Sequence, residues 1–200
     1  MPFDSILFDF DGVLVDSEPI HYDCWIDTLR PFGFNMDWNT YSATCIGISD
    51  RTMIERFAAS QSPALDADLL YAQYPIKKQL FRDRIFAANP FPQPTLDLIR
   101  ELQHIPKAVV SSSGRTEVEP PLIHAGIRNH FEVLICGLEA GKLKPAPDPY
   151  LKAAQLLNAT NPLVIEDSDA GVAAGQAAGF QVLRIAHPSD LAQALRRLLP

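Results

Sequence analysis

The chain has 200 residues, of which 47% are hydrophobic, so it can bury the core of one large domain or of a domain with a smaller insert. Its net charge of -7, with no basic tract, argues against nucleic acid as the main partner. No apolar run approaches the roughly 20 residues of a membrane span, so we expect no membrane association.

The three cysteines, Cys24, Cys45 and Cys136, are odd in number and widely spaced. They form no C-x-x-C pair, so neither a zinc site nor a disulfide framework is indicated. This usage is typical of buried small side chains in a reducing compartment. The N-terminus lacks the pattern of a secretory signal, and we expect a cytoplasmic location. We also expect a monomer or a weak homodimer.

Short apolar runs predict buried strands that alternate with helices along most of the chain. The runs lie at 6–8, 108–110, 133–136, 163–165 and 182–185, and the helix-like segments lie at 116–125, 149–157 and 170–178. Thr95 is the expected N-cap of a further helix that reaches about residue 103, and a last helix is expected from 189 or 190 to about 199. Strands that alternate with helices predict an α/β fold whose parallel sheet is covered on both faces.

The stretch from about 19 to 90 breaks this alternation. It contains no convincing strand, and its apolar residues have helical spacing, as at Trp25 and Leu29 or at Met53 and Phe57. It ends in a proline-rich segment, 89–94, which is typical of a linker. The sequence therefore predicts a helical domain at 18–90 that is inserted into a core domain made of 1–17 and 91–200.

Four polar groups follow predicted strands. They are Asp9 with Asp11, the run Ser111-Ser112-Ser113-Gly114, the segment from Lys142 to Asp148, and Glu166-Asp167-Ser168-Asp169. The carboxyl ends of parallel strands share one edge of a sheet, so these groups are expected to meet there. Clustered carboxylates suit Mg²⁺, and a lysine can neutralise a phosphate dianion. This combination indicates phosphoryl transfer.

The segment 9–18, Asp-Phe-Asp-Gly-Val-Leu-Val-Asp-Ser-Glu, resembles the first motif of the haloacid dehalogenase superfamily. Ser111, Lys144-Pro145 and Glu166-Asp167 match its three later motifs in order. The resemblance covers essentially the whole chain. It implies a Rossmann-like α/β core with an inserted helical cap, within the phosphatase and β-phosphoglucomutase-like part of the superfamily.

The resemblance also implies catalytic roles. Asp9 would attack phosphorus and form an aspartyl-phosphate, and Asp11 would protonate the leaving oxygen and then deprotonate water. Ser111 and Lys144 would bind the transferring phosphoryl group, with Ser112 as a further substrate contact. Lys142 competes with Lys144 for this role, but the Lys-Pro dipeptide of the family falls at Lys144.

The expected cofactor is Mg²⁺. The resemblance assigns it to the Asp9 side chain, the Asp11 backbone carbonyl and Asp167, with Glu166 nearby or assisting. Asp169 is instead expected to interact favourably with the positive N-terminal end of the following helix.

Residues of the insert are expected to choose the substrate. His21 and Trp25 match positions in sugar-phosphate members of the superfamily, although they could equally form a packed aromatic pair. Arg51 is a candidate substrate contact. Most charges of the insert, such as Lys77 and Lys78, are expected to be solvated, although one of them could contact the substrate when the insert closes over the site.

The leading functional hypothesis is a Mg²⁺-dependent phosphatase of a small phosphorylated metabolite, such as a sugar phosphate. The alternative is a phosphomutase of the β-phosphoglucomutase type. Against it, Ile46 precedes Gly47 where that type has lysine, and Asp50 stands at the position of the mutase arginine. A haloacid dehalogenase, which does not need the acid at Asp11, and a non-catalytic binding module are the remaining hypotheses.

Overall fold

The computed structural model describes residues 3–46 and 48–199, so Gly47 lies outside the described residues. The chain forms two compact units, one of Met1–Asp16 with Asn89–Pro200 and the other of Ser17–Ala88. The sequence-based boundaries fall one and two residues later. Within the described ranges, the structure has no helix with the length and hydropathy needed to span a membrane.

Five parallel strands form the sheet of the larger unit. They are β1 Ser5–Phe8, β2 Lys107–Ser111, β3 Val133–Cys136, β4 Pro162–Glu166 and β5 Gln181–Arg184, in the order β3-β2-β1-β4-β5. Phe8 of the central strand β1 is in register with Val109 on one side and Ile165 on the other. The predicted strands are confirmed to within one residue at each end. The chain passes from β1 to β2 on one side, and the connection from β3 then crosses to β4 on the other side of β1. Such a switch point in the strand order is where open α/β sheets bind ligands.

The α-helices are described here in chain order. They are α1 Glu18–Leu29, α2 Trp38–Thr44, α3 Asp50–Ser60, α4 Ala67–Tyr71, α5 Tyr74–Ala88, α6 Gln93–Glu101, α7 Arg115–His124, α8 Asp148–Leu157, α9 Asp169–Ala177 and α10 Leu191–Arg196. Short 3₁₀ turns occupy Arg30–Phe32, Arg128–His130, Gly137–Ala140 and Pro188–Asp190.

Apolar side chains cover both faces of the sheet, as predicted. Ile6 and Phe8 of β1 belong to a buried cluster that includes residues of α6, α7 and α10. Leu7, between them, points to the opposite face, where it joins a second cluster with Tyr150 of α8 and Ala174 of α9. This alternation follows from the two-residue period of a strand, and it fixes β1 in the middle of the core.

The insert unit is helical, and it has apolar clusters of its own. One is built around Trp25, Leu29 and Phe57, and a second contains Cys24 and Phe81. The cysteines Cys24, Cys45 and Cys136 are free and buried, as the sequence predicts.

Two helix predictions are wrong in detail. Thr95 is not an N-cap, because α6 already begins at Gln93 with Pro94 in its first turn, where the missing N–H of proline costs nothing. The buried Thr95 hydroxyl donates instead to the carbonyl oxygen of Pro188 at 3.1 Å. The last helix is also shorter than expected, since Pro188 starts a 3₁₀ turn and α10 covers only Leu191–Arg196.

Lys107 is a buried charge at the start of β2. Its ammonium donates to the carbonyl oxygens of Leu102, at 2.5 Å, and Ile105, at 2.6 Å, at the end of the connection from α6. Burial lowers the pKa of Lys107, while the Glu132 carboxylate opposes this effect. Leu102 O also accepts from the Ile105 N–H at 3.0 Å, so Lys107 is a second donor to that oxygen and also donates to the Ile105 carbonyl oxygen.

We predict that Lys107→Met lowers the free energy of unfolding by about 2 kcal/mol, because the Ile105 carbonyl oxygen loses its hydrogen bond from the charged ammonium. Lys142→Met is the control, since Lys142 is 71% exposed and its 3.5 Å ion pair with Asp148 lies at the surface. This variant should change stability by less than about 0.5 kcal/mol. Urea denaturation at neutral pH measures both, and equal stability of the two variants would contradict the assignment.

Candidate active site

The ends of three neighbouring strands place the polar residues of the site. Asp9 directly follows β1, Ser111 is the last residue of β2, and Glu166 is the last residue of β4. Lys144 lies in the connection between β3 and α8. The parallel sheet thus brings residues that are far apart in sequence to one edge.

The Lys144 ammonium joins two of these carboxylates. Its Nζ atom lies 2.7 Å from Asp9 Oδ1 and 2.6 Å from Glu166 Oε1. The side chains of Lys144, Asp9 and Glu166 are only 5%, 11% and 0% exposed, respectively. Lys142, by contrast, pairs with Asp148 at the surface and takes no part in this contact.

The burial of these charges perturbs their protonation equilibria. Burial and the Glu166 carboxylate raise the pKa of Asp9, while Lys144 opposes this shift. Burial alone would favour neutral Lys144, but the Asp9 and Glu166 carboxylates outweigh it and raise the pKa of the ammonium. The lysine therefore stays charged and holds the Asp9 carboxylate in one orientation.

Asp9, Glu166 and Asp167 each contribute a carboxylate oxygen to a group whose members lie within 4.8 Å of one another. Burial, followed by the Glu166 carboxylate, raises the pKa of Asp167 to about 6. Carboxylate oxygens this close, with one buried ammonium beside them, leave excess negative charge that a divalent cation would neutralise. The oxygens of Asp9 and Asp167 are hard donors of the kind that suits Mg²⁺.

Gly12 allows Asp167 to approach the loop after β1. A Cβ atom at position 12 would lie 2.1 Å from Asp167 Oδ2, and the glycine has a φ of +75°. Both the space and the backbone conformation therefore require glycine. Main-chain bonds from Leu14 N and Val15 N to Phe10 O, at 2.9 and 3.2 Å, close the rest of this loop.

The Asp11 side chain accepts a hydrogen bond from Ser113, with Ser113 Oγ 2.8 Å from Asp11 Oδ2. The Ser113 main-chain N–H in turn donates to Ser111 Oγ at 3.0 Å. Ser111 is buried, whereas Ser112 is exposed. Sequence reasoning missed Ser113 as a site residue, although the serine run after β2 pointed to this loop.

Lys77, in the insert unit, is buried rather than solvated, which corrects the sequence-based expectation. Its side chain is 3% exposed, and Nζ lies 2.8 Å from His21 Nδ1 and 3.4 Å from Asp50 Oδ2. Trp25 donates its indole N–H to Asp50 Oδ1 at 2.9 Å. His21 stacks on Phe81 with ring centroids 4.1 Å apart. His21 and Trp25 therefore belong to one polar and aromatic cluster.

Arg51 is tied to acidic neighbours in the insert. Its guanidinium pairs with Glu55 and Asp68, each at 2.7 Å, and lies over the Tyr71 ring. A substrate contact by Arg51 would require it to exchange these partners.

The arrangement of these motifs matches a known protein family. Residues 6–185 fit the family model of haloacid dehalogenase-like hydrolases. The chain belongs to this family. The expected superfamily, the α/β fold and the classification of the chain as an enzyme are thereby confirmed.

Two curated relatives of this haloacid dehalogenase-like hydrolase come from Escherichia coli strain K12. Fructose-1-phosphate phosphatase YqaB is 27% identical over 184 residues, which cover 90% of this chain and 95% of the relative. Hexitol phosphatase A is 30% identical over 190 residues, which cover 93% of this chain and 84% of the relative. The solved structure of β-phosphoglucomutase from Clostridium difficile shares the fold, with a TM-score of 0.74 at 20% identity and coverage of 98% of this chain and 99% of that one.

We predict that Gly12→Ala removes most of the activity of this hydrolase, because the new Cβ displaces the Asp167 carboxylate. Gly126→Ala is the matched control in the same unit, since Gly126 has a φ of +70° but a Cβ added there would meet none of the described neighbouring atoms within 4 Å. Both variants should lose roughly 1–2 kcal/mol of stability from the left-handed backbone. Hydrolase assays on the folded variants would contradict the prediction if both retained activity.

Proposed function

We propose that this hydrolase is a Mg²⁺-dependent phosphatase that hydrolyses a small phosphorylated metabolite through an aspartyl-phosphate on Asp9. The observation that carries the proposal is the buried contact of 2.7 Å between Lys144 Nζ and Asp9 Oδ1. It orients a carboxylate nucleophile and places positive charge where a phosphate dianion would approach. The phosphatase relatives described above support the same reaction class, phosphoric monoester hydrolysis.

In the first step, an Asp9 carboxylate oxygen forms a bond to phosphorus and the bond between phosphorus and the ester oxygen breaks. Asp11 gives its proton to the leaving oxygen, and the hydrogen bond from Ser113 orients the Asp11 carboxyl group. In the second step, Asp11 takes a proton from a water molecule that attacks phosphorus, which releases inorganic phosphate and restores Asp9. The same residue thus serves as acid and then as base.

Ser111 and Lys144 are proposed to bind the oxygens of the transferring phosphoryl group, with Ser112 as the exposed neighbour in the same loop. The oxygens of Asp9 and Asp167 and the backbone carbonyl of Asp11 would hold Mg²⁺, with Glu166 nearby. When bound, the cation would neutralise part of the negative charge of the phosphate.

The proposed substrate class is a phosphorylated sugar or sugar alcohol. This class is the one named for the two Escherichia coli relatives. Within the insert, His21 and Arg51 remain the proposed substrate contacts. Asp50, which hydrogen-bonds to Trp25 and pairs with Lys77, presents a carboxylate where the mutase type has arginine, which disfavours a substrate that carries a second phosphate there.

A phosphate-release screen tests the proposal directly. Sugar, sugar-alcohol, glycolytic and nucleotide monophosphates are incubated with the protein, with and without Mg²⁺. We expect Mg²⁺-dependent release from sugar or sugar-alcohol monophosphates. Formation of a phosphate isomer only with a bisphosphate activator would instead indicate a mutase, chloride release from chloroacetate would indicate a dehalogenase, and no turnover at all would indicate a binding module.

We predict that Asp9→Asn abolishes turnover, because the amide cannot form the aspartyl-phosphate. The fold should persist, since the amide is nearly isosteric with the carboxylate, its oxygen can still accept from Lys144, and Glu166 still pairs with the ammonium. Phosphate release measures the activity, and circular dichroism checks the fold. A folded variant that retains most of the activity would show that Asp9 is not the nucleophile.

We also predict that Asp167→Asn raises the Mg²⁺ concentration for half-maximal activity by about tenfold or more, because a charged oxygen ligand is lost. Asp169→Asn is the control. Asp169 begins α9 only two residues away, but its side chain is 91% exposed and pairs with Arg184. Mg²⁺ titration of activity should leave this control unchanged, and an equal shift in both variants would contradict the metal assignment.

A further inference from the structure

Glu166 has both carboxylate oxygens engaged by other groups of the protein. Oε1 accepts hydrogen bonds from Lys144 Nζ at 2.6 Å and from the Tyr150 hydroxyl at 2.5 Å. Oε2 accepts from the Asp167 N–H and from Ser168 Oγ, each at 3.2 Å. A carboxylate oxygen has two lone-pair sites, so four donors use the acceptor capacity of this group. Glu166 is therefore held as an anchor for Lys144.

Tyr150 is the least expected of these donors. It lies on α8 and is fully buried in the apolar cluster on one face of the sheet. A buried tyrosine hydroxyl needs a partner, and this one has Glu166 Oε1, the same atom that binds Lys144. The Lys144 ammonium also lies 5.1 Å from the centre of the Tyr150 ring. Tyr150 therefore contacts both Glu166 and Lys144, and the Lys144 ammonium in turn binds Asp9.

Gly171 on α9 leaves the space that the Glu166 carboxyl group occupies. A Cβ atom at position 171 would lie 1.9 Å from both Cδ and Oε1 of Glu166. The carboxylate is therefore confined between a donor on α8 and a bare backbone on α9. Such confinement fixes the rotamer of a side chain more tightly than a single hydrogen bond does.

We propose that Tyr150 is a positioning residue for phosphoryl transfer, whose hydroxyl holds Glu166 and thereby keeps the Lys144 ammonium on Asp9. The inference rests on the proposed function of Asp9 and Lys144. Tyr150 itself would not touch the substrate. Its loss should act through Lys144, whose charge matters most in the transition state, and should therefore lower kcat more than it raises KM.

The first test is Tyr150→Phe, which keeps the ring and removes the hydroxyl. We expect kcat to fall by about tenfold, the scale of one lost hydrogen bond to a charged group. KM should change by less than about twofold, because the lost interaction matters in the transition state. Tyr22→Phe is the control, since the Tyr22 hydroxyl donates to Met36 O at 2.9 Å within the insert. This control should retain the wild-type kcat.

The second test approaches Glu166 from the opposite side and does not depend on how Tyr150→Phe folds. Gly171→Ala should displace the carboxylate and also lower kcat. Gly175→Ala, one turn later on α9, is the control, because the nearest atoms to its Cβ would be Val182 Cγ2 at 2.7 Å and Val164 Cγ1 at 3.1 Å rather than Glu166. It should lower the thermal midpoint and leave the kcat of the folded enzyme unchanged.

A crystal structure of Tyr150→Phe separates this inference from the proposed function, because it needs no activity. We expect the Lys144 Nζ atom to lie farther from Asp9 Oδ1 than in the wild type.

An unchanged contact, or a kcat within about twofold of the wild type, would overturn the inference while leaving Asp9-dependent turnover intact. A fall in kcat accompanied by an equal rise in KM would also overturn it, since that result indicates general damage to the site. Failure of the proposed function would appear differently, as wild-type turnover that survives Asp9→Asn.

Discussion

The buried ammonium of Lys144 is the interaction on which the site depends. It lies between Asp9 and Glu166, and all three side chains are almost completely removed from solvent. A buried charge is tolerated only when it is paired and hydrogen-bonded, and removing one partner leaves the others strongly destabilised. Lys144, Asp9 and Glu166 therefore form a triad in which each side chain depends on the others. It also leaves the Asp9 carboxylate with a fixed orientation at the end of the central strand.

The rest of the larger unit keeps this triad in place. The parallel register of β1 with β2 and β4 brings the three strand ends together, and apolar residues on both faces bury the sheet. Gly12 and Gly171 are needed because they have no side chain. A Cβ atom at position 12 would collide with Asp167, and one at position 171 would collide with Glu166. Catalysis by positioning and charge neutralisation requires such close packing of charges, since the chemistry of phosphoryl transfer asks little else of the protein.

The sequence predicted the strands and the polar groups that follow them, because a buried strand leaves a clear apolar run and parallel strands expose their ends at one edge. It did not predict Tyr150 or Lys77. The spacing of Tyr150 with Ala153 and Ala154 indicates only a buried helix face, and its hydroxyl contact depends on a side chain 16 positions away. A lysine in an amphipathic insert is usually solvated, and only tertiary packing against His21 and Asp50 shows otherwise.

Trapping of the covalent intermediate tests the central claim, that the Asp9 carboxylate held by Lys144 is the nucleophile. The enzyme is mixed with a monophosphate that it hydrolyses, quenched in acid and reduced with borohydride, which converts an aspartyl-phosphate into homoserine. Peptide mass spectrometry then locates the modified residue. The account predicts homoserine at position 9, formed only when substrate is present. Modification of another residue, or an unmodified Asp9 in every peptide under conditions of rapid turnover, would contradict it.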